Sequence, residues 1–309
     1  MDERQIVDLA EAGAAAGLTA AEVAVLRDMN ALIEAAGEGL RFADSAARVA
    51  MQQPREVRRF DTAQIRWRAP VRRPSKIVCL ALNNSANADR ILQGPKHPAP
   101  FIKAANALAG HEEAIVIKQS YGRCHPEPEL AAVIGRRAKE IVAAHAYEYV
   151  FGYTIHNDIT SPSMRIEDTF HYRSITPAKG DPTRIEYVDT WTTYPGRYKG
   201  SDTFSPMGPW LVTRDEIPDP HALAVTCLHR GKLVTQDNTA NLSNKLPEVL
   251  AFLSQYMTFL PGDVLSLGTA VKQGASDARP IQNVELNKGG PISVVIERIG
   301  TLTSQVQLC

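Results

Sequence analysis

The chain has 309 residues with 44 % apolar content, and its 34 lysines and arginines are matched by 34 aspartates and glutamates. A net charge of zero gives no general attraction to nucleic acid or to an anionic membrane surface, so neither is predicted as a partner. The sequence has no run of about 18 apolar residues, no apolar signal-peptide core and no CxxC pair among its four cysteines. We therefore predict a cytoplasmic protein with free thiols.

The first fifty residues have the composition of helices, being rich in alanine, glutamate, leucine and arginine. Thr19 and Glu22 fit a capping box for a helix that begins near Ala20. Apolar residues follow at helical spacing, at Val23, Leu26, Met29 and Ile33. This segment is predicted to be a small helical appendage.

Proline and arginine dominate residues 52–75, which is typical of a connecting segment. One short strand is predicted within it, around Ile65–Arg68. These changes of composition divide the chain into an N-terminal helical appendage and linker, residues 1–73, and a larger domain, residues 74–309.

From Lys76 onward the pattern is rich in short strands. Two helices are predicted as well, over Val142–Tyr149 and Leu246–Thr258. Strands are predicted at Ile77–Leu82, Ala114–Ile117, Leu130–Ile134, Val150–Ile155, Trp210–Val212, Leu223–Leu228, Val264–Leu267, Ile292–Ile296 and Gly300–Val306. Because helices and strands do not alternate, the fold class is predicted as α+β, a β-rich mixed fold, and not as a doubly wound parallel sheet. Motifs for phosphate loops and serine hydrolases are absent from the sequence.

The segment Glu167–Gly196 is long and polar and contains three prolines. We interpret it as a long loop, and long loops in compact domains commonly act as lids or binding loops. A surface or dimer-contact excursion is an equally good interpretation.

Two carboxylates stand beside a run that should be core. Glu127 and Glu129 precede the apolar run Leu130–Ile134, and side chains two residues apart on a strand point to the same face. Two carboxylates so near each other favour a cation between them. Carboxylate oxygens suit Mg²⁺, Mn²⁺ or Ca²⁺, and no thiolate cluster lies nearby in the sequence for structural zinc.

An ordered set of motifs resembles the fumarylacetoacetate hydrolase family over about residues 76–306. The motifs are Lys76–Asn83, Phe101–Lys103, Glu127–Ala131, Gly152–Asp158, Lys199–Trp210, Pro261–Val264 and Gly268–Thr269. The resemblance implies a β-rich α+β catalytic domain that forms a homodimer and binds Mg²⁺ or Mn²⁺. It also implies that Glu127, Glu129 and Asp158 hold the metal and that Lys199 is a catalytic cation. Tyr153, Thr269 and Lys103 are implied as substrate contacts.

The substrates that the resemblance implies are 2-oxo and 2,4-dioxo acids. Such acids chelate a metal ion, which stabilises an enolate when a neighbouring bond breaks or a proton leaves. We expect carbon–carbon bond hydrolysis in a catabolic pathway. A decarboxylase, an isomerase or tautomerase, and a dehydratase are alternatives on the same scaffold, and a metal-dependent ligand-binding protein without catalysis is another.

One departure from the family pattern concerns the general base. Hydrolytic members carry a histidine and a glutamate after the first strand, where this chain has Asn87 and Arg90, and neither side chain can accept a proton near neutral pH. Three explanations stay open. Another group replaces the base, or no water is activated and both residues bind substrate, or no reaction is catalysed. The candidates for a replacement base are Asp89, His97, His125 and His171.

His125 is the strongest of these candidates, because it lies two residues before Glu127 and should share its strand face. Its alternative role is to orient a ligand carboxylate. Pro162 is a second departure, since it stands where an arginine often follows the Asn157–Asp158 strand end in the family.

Overall fold

In a computed structural model, residues 5–53, 55–271 and 281–309 are described, without the side chains of Asp89, Arg90 and Gln282. The α-helices of the described chain are α1 (Leu9–Ala15), α2 (Ala20–Val25), α3 (Met29–Glu34), α4 (Ala36–Gln52), α5 (Pro162–Glu167), α6 (Gly196–Gly200) and α7 (Leu246–Tyr256). Its strands are β1 (Gln5–Val7), β2 (Arg59–Asp61), β3 (Ile77–Ala81), β4 (Ala99–Lys103), β5 (Leu108–Ala109), β6 (Ile115–Ile117), β7 (Pro128–Ile134), β8 (Val150–Asn157), β9 (Thr169–Ala178), β10 (Asp181–Thr193), β11 (Ser205–Thr213), β12 (Ala224–His229), β13 (Lys232–Asn238), β14 (Val264–Thr269), β15 (Ile292–Ile296), β16 (Gly300–Ser304) and β17 (Val306–Leu308).

A seven-stranded sheet organises the described chain, in the order β4-β3-β14-β7-β8-β11-β5. Its pairings are antiparallel except for β14 with β3 and β11 with β5. A second sheet, β13-β12-β15-β16, is antiparallel throughout. The predicted β-rich α+β fold is confirmed.

Every residue of β7 is buried, because both faces of the central sheet are covered. Leu130 and Ala132 point into the larger core, which includes Val225 and Val294 of the second sheet. Val133 points to the other face, where Ile33 of α3 packs against the sheet. The N-terminal helices therefore form a layer over the sheet.

The start of α2 agrees with the sequence pattern. Thr19 and Glu22 form the predicted capping box, with Thr19 Oγ1 accepting from the backbone N–H of Glu22.

The predicted domain boundary between residues 73 and 74 stays a prediction. Helix α7 lies where a helix was predicted, and among the described helices none has the length and apolarity that crossing a membrane requires.

Three local predictions were wrong. No strand lies at Ile65–Arg68, where Trp67 instead packs edge-on against His111. The segment at 142–149 is a 3₁₀ helix over Ala143–Tyr149. The predicted loop over 167–196 is mostly a hairpin of β9 and β10. Its threonine, tyrosine, isoleucine and tryptophan content favours strands, and its prolines sit near the turn, where the register shifts.

Candidate metal centre

Three carboxylates meet at one end of the central sheet. Glu127 precedes β7, Glu129 lies within it, and Asp158 follows β8. The antiparallel register pairs Glu129 with His156, and two hydrogen bonds continue it beyond the strands. The Asp158 backbone N–H donates to the Glu127 carbonyl at 2.9 Å, and the Glu127 N–H donates to Asn157 Oδ1 at 3.0 Å. Carboxylate oxygens of the three acids consequently lie within 4.8 Å of one another.

Two lysines hold Asp158. The Lys199 Nζ, from α6, donates to Asp158 Oδ2 at 2.6 Å and to Glu127 Oε2 at 2.7 Å. The Lys103 Nζ donates to Asp158 Oδ1 and to the Phe204 carbonyl, both at 2.5 Å. Burial alone would lower the pKa of Lys199, but the three carboxylates outweigh it and hold that pKa well above its usual range. Lys199 is therefore a permanent cation and not a base.

The two glutamates titrate in opposite directions. Burial raises the pKa of both, but at Glu127 the Lys199 ammonium and the His125 ring outweigh burial and hold the pKa well below its usual range. Glu129 accepts from Ser266 Oγ at 2.5 Å and Thr269 Oγ1 at 3.0 Å, and no lysine touches it in the described chain. Burial and the charges of Asp158 and Glu127 raise its pKa to about 8.

This donor set fits a hard divalent ion. All three acids offer oxygen, which Mg²⁺, Mn²⁺ and Ca²⁺ prefer. Burial beside two other carboxylates raises the pKa of Glu129, and a cation bound among them would offset that effect. Glu127, Glu129 and Asp158 are therefore the residues that would hold the ion, and their role as ligands stays a prediction.

A cavity of about 470 Å³ opens over Glu127 and Lys199. The Phe101 ring centroid lies 5.0 Å from Lys199 Nζ, so the ammonium has an aromatic face beside it. The lining comprises Leu80, Ala81, Leu82, Asn83, Asn87, Ala99, Pro100, Phe101, His125, Glu127, Thr160, Pro162, Arg165, Thr193, Pro195, Tyr198, Lys199, Thr269, Val271 and Ile281. Apolar walls with a few convergent polar groups are typical of a small-molecule site.

Residues 76–307 match the family model described as fumarylacetoacetate (FAA) hydrolase C-terminal, which is more than half of the chain. The chain belongs to the fumarylacetoacetate hydrolase family. A rat mitochondrial oxaloacetate tautomerase is 30% identical over 245 residues, which span 79% of this chain and 70% of the relative.

Solved structures extend the likeness to the fold. A 5-carboxymethyl-2-hydroxymuconate delta-isomerase from Mycobacterium smegmatis is 31% identical, with a TM-score of 0.62 over 82% of this chain and 86% of its own. A maleylpyruvate hydrolase from Sphingobium sp. SYK-6, solved with manganese(II) and pyruvate, is 26% identical, with a TM-score of 0.70 over 100% of this chain and 94% of its own. These relatives are a tautomerase, an isomerase and a hydrolase. The protein is thus an enzyme of the fumarylacetoacetate hydrolase family, whose members differ in reaction.

Some of the other residues that the family resemblance implied line the cavity, and others lie away from it. Thr269 lines the cavity and its hydroxyl contacts Glu127 and Glu129, and Asn87 is buried in the cavity wall. Lys103 and Tyr153 do not line the cavity. Lys103 lies behind Asp158, and Tyr153 points from β8 into the larger core. The side chain of Arg90 lies outside the described residues.

Of the histidines considered as the replacement base, His125 is the one that lines the cavity. Its Nε2 is 3.0 Å from Glu127 Oε1, and its Nδ1 is buried without a hydrogen-bond partner among the described residues. His97 stacks on Phe252, and His171 stacks on Trp191 in the exposed hairpin. Asp89 was also a candidate, and its side chain lies outside the described residues.

Two residues of the site were missed in the sequence. His156 lies beneath the acids, with its Nδ1 2.8 Å from Ser266 Oγ and its Nε2 3.0 Å from Ser205 Oγ. Burial is the largest cause that lowers its pKa to about 3, and the charge of Lys103 is the second. It is a neutral ring that orients hydroxyls. Its spacing of two residues from Asp158 could have revealed it.

Arg165 lines the cavity one helical turn after Pro162, without an acidic partner in the described chain.

Replacing Lys103 by methionine should weaken Mn²⁺ binding by about 10–100-fold, because Asp158 loses a fully buried group that is fixed on the Phe204 carbonyl and orients the carboxylate from behind, and this loss outweighs the relief of repulsion between the ammonium and the ion. Titration of the metal-free protein with Mn²⁺ measures this effect. The matched control is Lys76→Met, which breaks a slightly less buried lysine–aspartate pair, with Asp263, away from the acids. Equal Mn²⁺ affinity in the two variants would contradict a positioning role for Lys103.

Metal binding should release about one proton near pH 7. Glu129 has a pKa of about 8 in the metal-free site, so it is protonated below that pH and must ionise to bind the cation. Mn²⁺ affinity should therefore rise about tenfold per pH unit up to about pH 8 and then level off. Calorimetric titration in buffers of different ionisation enthalpy counts the released protons. An affinity that does not change with pH would contradict the assignment.

Proposed function

We propose that this enzyme binds Mg²⁺ or Mn²⁺ at Glu127, Glu129 and Asp158 and hydrolyses a carbon–carbon bond of a 2,4-dioxo acid. The observation that carries the proposal is a triad of carboxylates, two of them buried, whose third member, Glu127, lines one cavity together with the Lys199 ammonium. The manganese(II) and pyruvate in the Sphingobium hydrolase support the choice of ion and of ligand class.

A bound divalent ion supplies a Lewis acid to the 2-oxo and carboxylate oxygens of such a substrate. The chain contributes a fixed charge beside it. Lys199 is a permanent cation at the cavity wall, so its ammonium stabilises the negative oxygen of an enolate as the bond breaks. The hydrogen bonds to Glu127 and Asp158 position that ammonium before substrate arrives.

His125 is our candidate for the general base. When its Nε2–H donates to Glu127 Oε1, its Nδ1 is left with a free lone pair. Because that nitrogen is buried here, its role requires that the attacking water enter beside the ring; the nitrogen then takes a proton from the water and later returns it to the carbon of the departing enolate. The two transfers balance, so the ring ends the cycle neutral.

Arg165 and Asn87 would bind the end of the substrate that lies away from the metal ion. Both line the cavity, and the Arg165 guanidinium has no carboxylate partner in the described chain. Guanidinium groups bind carboxylates in a two-pronged geometry. The substrate class we infer is therefore a 2-oxo acid that carries a second acidic group.

Tautomerisation of a 2-oxo acid is the second candidate. It is favoured by Asn87, which stands where hydrolytic relatives have a histidine, and by the 30% identity to an oxaloacetate tautomerase. Keto–enol exchange moves one proton and consumes no water. His125 and Lys199 could serve it from the same positions.

Labelled water distinguishes the two candidates. With Mg²⁺ and an acylpyruvate that carries a second carboxylate, we expect cleavage, with ¹⁸O from water appearing in the carboxylic acid product. The same protein is assayed for the keto–enol exchange of oxaloacetate. Rapid exchange without cleavage, and with no label in any product, would replace hydrolysis by tautomerisation. Absence of both reactions would contradict both candidates.

A further inference from the structure

A row of hydrogen bonds runs through the buried ring of His156 to the carboxylate of Glu129. Ser266 Oγ donates to Glu129 Oε2 at 2.5 Å, and His156 Nδ1 lies 2.8 Å from the same Ser266 oxygen. On the other side of the ring, His156 Nε2 lies 3.0 Å from Ser205 Oγ. All four side chains are buried, on the neighbouring strands β14, β7, β8 and β11. The register sets His156 directly opposite Glu129, so the central sheet itself fixes the row.

Each of these hydrogen bonds has one possible direction when Glu129 holds a cation. A carboxylate that binds a metal ion is ionised and only accepts, so the single hydroxyl proton of Ser266 is donated to it. The Ser266 oxygen must then accept from His156, which places the proton of the neutral ring on Nδ1. Nε2 accepts in turn from the Ser205 hydroxyl. The ring therefore fixes the direction in which the Ser266 hydroxyl points.

The two oxygens of Glu129 have different surroundings. Oε2 accepts from Ser266 Oγ and, at 3.3 Å, from the backbone N–H of Gly268. Oε1 lies 3.0 Å from Thr269 Oγ1, which is also 3.1 Å from Glu127 Oε2, so Oε1 is the oxygen on the side of the neighbouring acid. Because two donors hold Oε2, one oxygen of Glu129 is left to face a cation.

We propose that His156 is a positioning residue that, through Ser266, restricts Glu129 to one metal-binding oxygen and thereby favours Mg²⁺ over Ca²⁺. This role depends on the metal site proposed above at the three acids. Mg²⁺ requires a near-ideal octahedral arrangement, whereas Ca²⁺ accepts about six to eight oxygens and can take both oxygens of one carboxylate. A glutamate that cannot turn its second oxygen toward the ion therefore suits the smaller ion.

The test compares Mg²⁺ and Ca²⁺ affinity in the full-length protein by calorimetric titration. Ser266→Ala frees Oε2, so Mg²⁺ affinity should fall about 10–100-fold, as is typical when a group behind a ligand is removed. Ca²⁺ affinity should change by less than about threefold, since the second oxygen becomes available to it. Ser254→Ala is the matched control. Its hydroxyl is also fully buried and accepts from the Ile141 N–H at 3.1 Å, but it lies in α7.

Two replacements of His156 separate its hydrogen bond from its bulk. His156→Leu removes the donor to Ser266 and should lower the ratio of Mg²⁺ to Ca²⁺ affinity as much as Ser266→Ala does. His156→Asn keeps an N–H donor at the same number of bonds from the backbone as Nδ1, so it should keep that ratio within about threefold of the unchanged protein. Combining His156→Leu with Ser266→Ala should lower the ratio no further than Ser266→Ala alone, because the two residues act in series.

A ratio that does not change in Ser266→Ala, or that falls equally in His156→Leu and His156→Asn, would overturn this role of His156 and leave the proposed metal site intact. Binding of neither ion by the unchanged protein would overturn the metal site and this role with it. If circular dichroism shows that the variants do not fold, ¹⁵N spectra of the unchanged protein with Mg²⁺ decide between the two ring nitrogens. A proton on Nδ1 of His156 supports the proposal, and a neutral ring with its proton on Nε2 overturns it.

Discussion

Replacing Lys199 by methionine is expected to lower kcat by about 10²–10³-fold, because the variant lacks the cation that stabilises the enolate oxygen. The same change should leave Mn²⁺ bound at least as tightly. Lys199 donates to Glu127 and Asp158, so it competes electrostatically with a cation for the same two carboxylates. Steady-state kinetics at saturating metal, together with a metal titration, separate these two effects.

Stability gives a second measurement for this variant. Without Lys199, the buried Asp158 and the partly buried Glu127 lose a partner, which typically costs about 3–5 kcal/mol in the metal-free protein. Added Mn²⁺ should therefore raise the Tm of Lys199→Met by more than it raises that of the unchanged protein. Lys76→Met controls for the loss of a partly buried lysine elsewhere. Unchanged kcat at saturating metal would show that Lys199 has no catalytic role.

Glu129→Gln is expected to weaken Mn²⁺ binding by more than about 100-fold, since removal of a ligand should exceed the 10–100-fold effect of removing a group behind a ligand. The amide keeps the size of the side chain but brings no charge. Activity should fall in parallel when metal is limiting. The pH dependence of the remaining Mn²⁺ affinity should also disappear, because Glu129 is the group that loses its proton on binding.

Asp263→Asn is the matched control for Glu129→Gln. Asp263 is fully buried and accepts from Ser75 Oγ at 2.5 Å and from the Leu260 N–H at 2.7 Å. Its replacement should lower the free energy of unfolding and leave Mn²⁺ affinity unchanged. If both variants lose Mn²⁺ affinity equally, the loss reflects damage to the fold and the assignment of Glu129 as a ligand fails.

Short-range spacing predicted two of the three acids. Glu129 follows Glu127 by two residues, and the strand period places both carboxylates on one side. Asp158 is 29 positions beyond Glu129, so no local pattern places it there, and the family resemblance supplied it. The β7–β8 register is the physical cause of the contact.

The roles of Tyr153 and Lys103 could not be derived in this way. Tyr153 belongs to the same motif as Asp158, but it lies five residues away on β8 and therefore points to the opposite face. Lys103 ends an edge strand, and its long side chain reaches behind Asp158. The partner that a lysine ammonium contacts depends on how the surrounding side chains pack, which the sequence pattern does not give. The hairpin was missed because prolines near its turn obscured a strand-favouring composition.

The lysine pair on Asp158 determines which ligands the filled site can accept. Three carboxylates and two ammonium groups leave one net negative charge, and a divalent ion changes it to one positive charge. A 2-oxo acid that met such an ion with a single carboxylate would bring the site to neutrality. A dianionic chelator such as oxalate would leave a net charge in a buried place, where charge is poorly solvated. The two lysines would thus favour a ligand whose metal-binding end carries one negative charge.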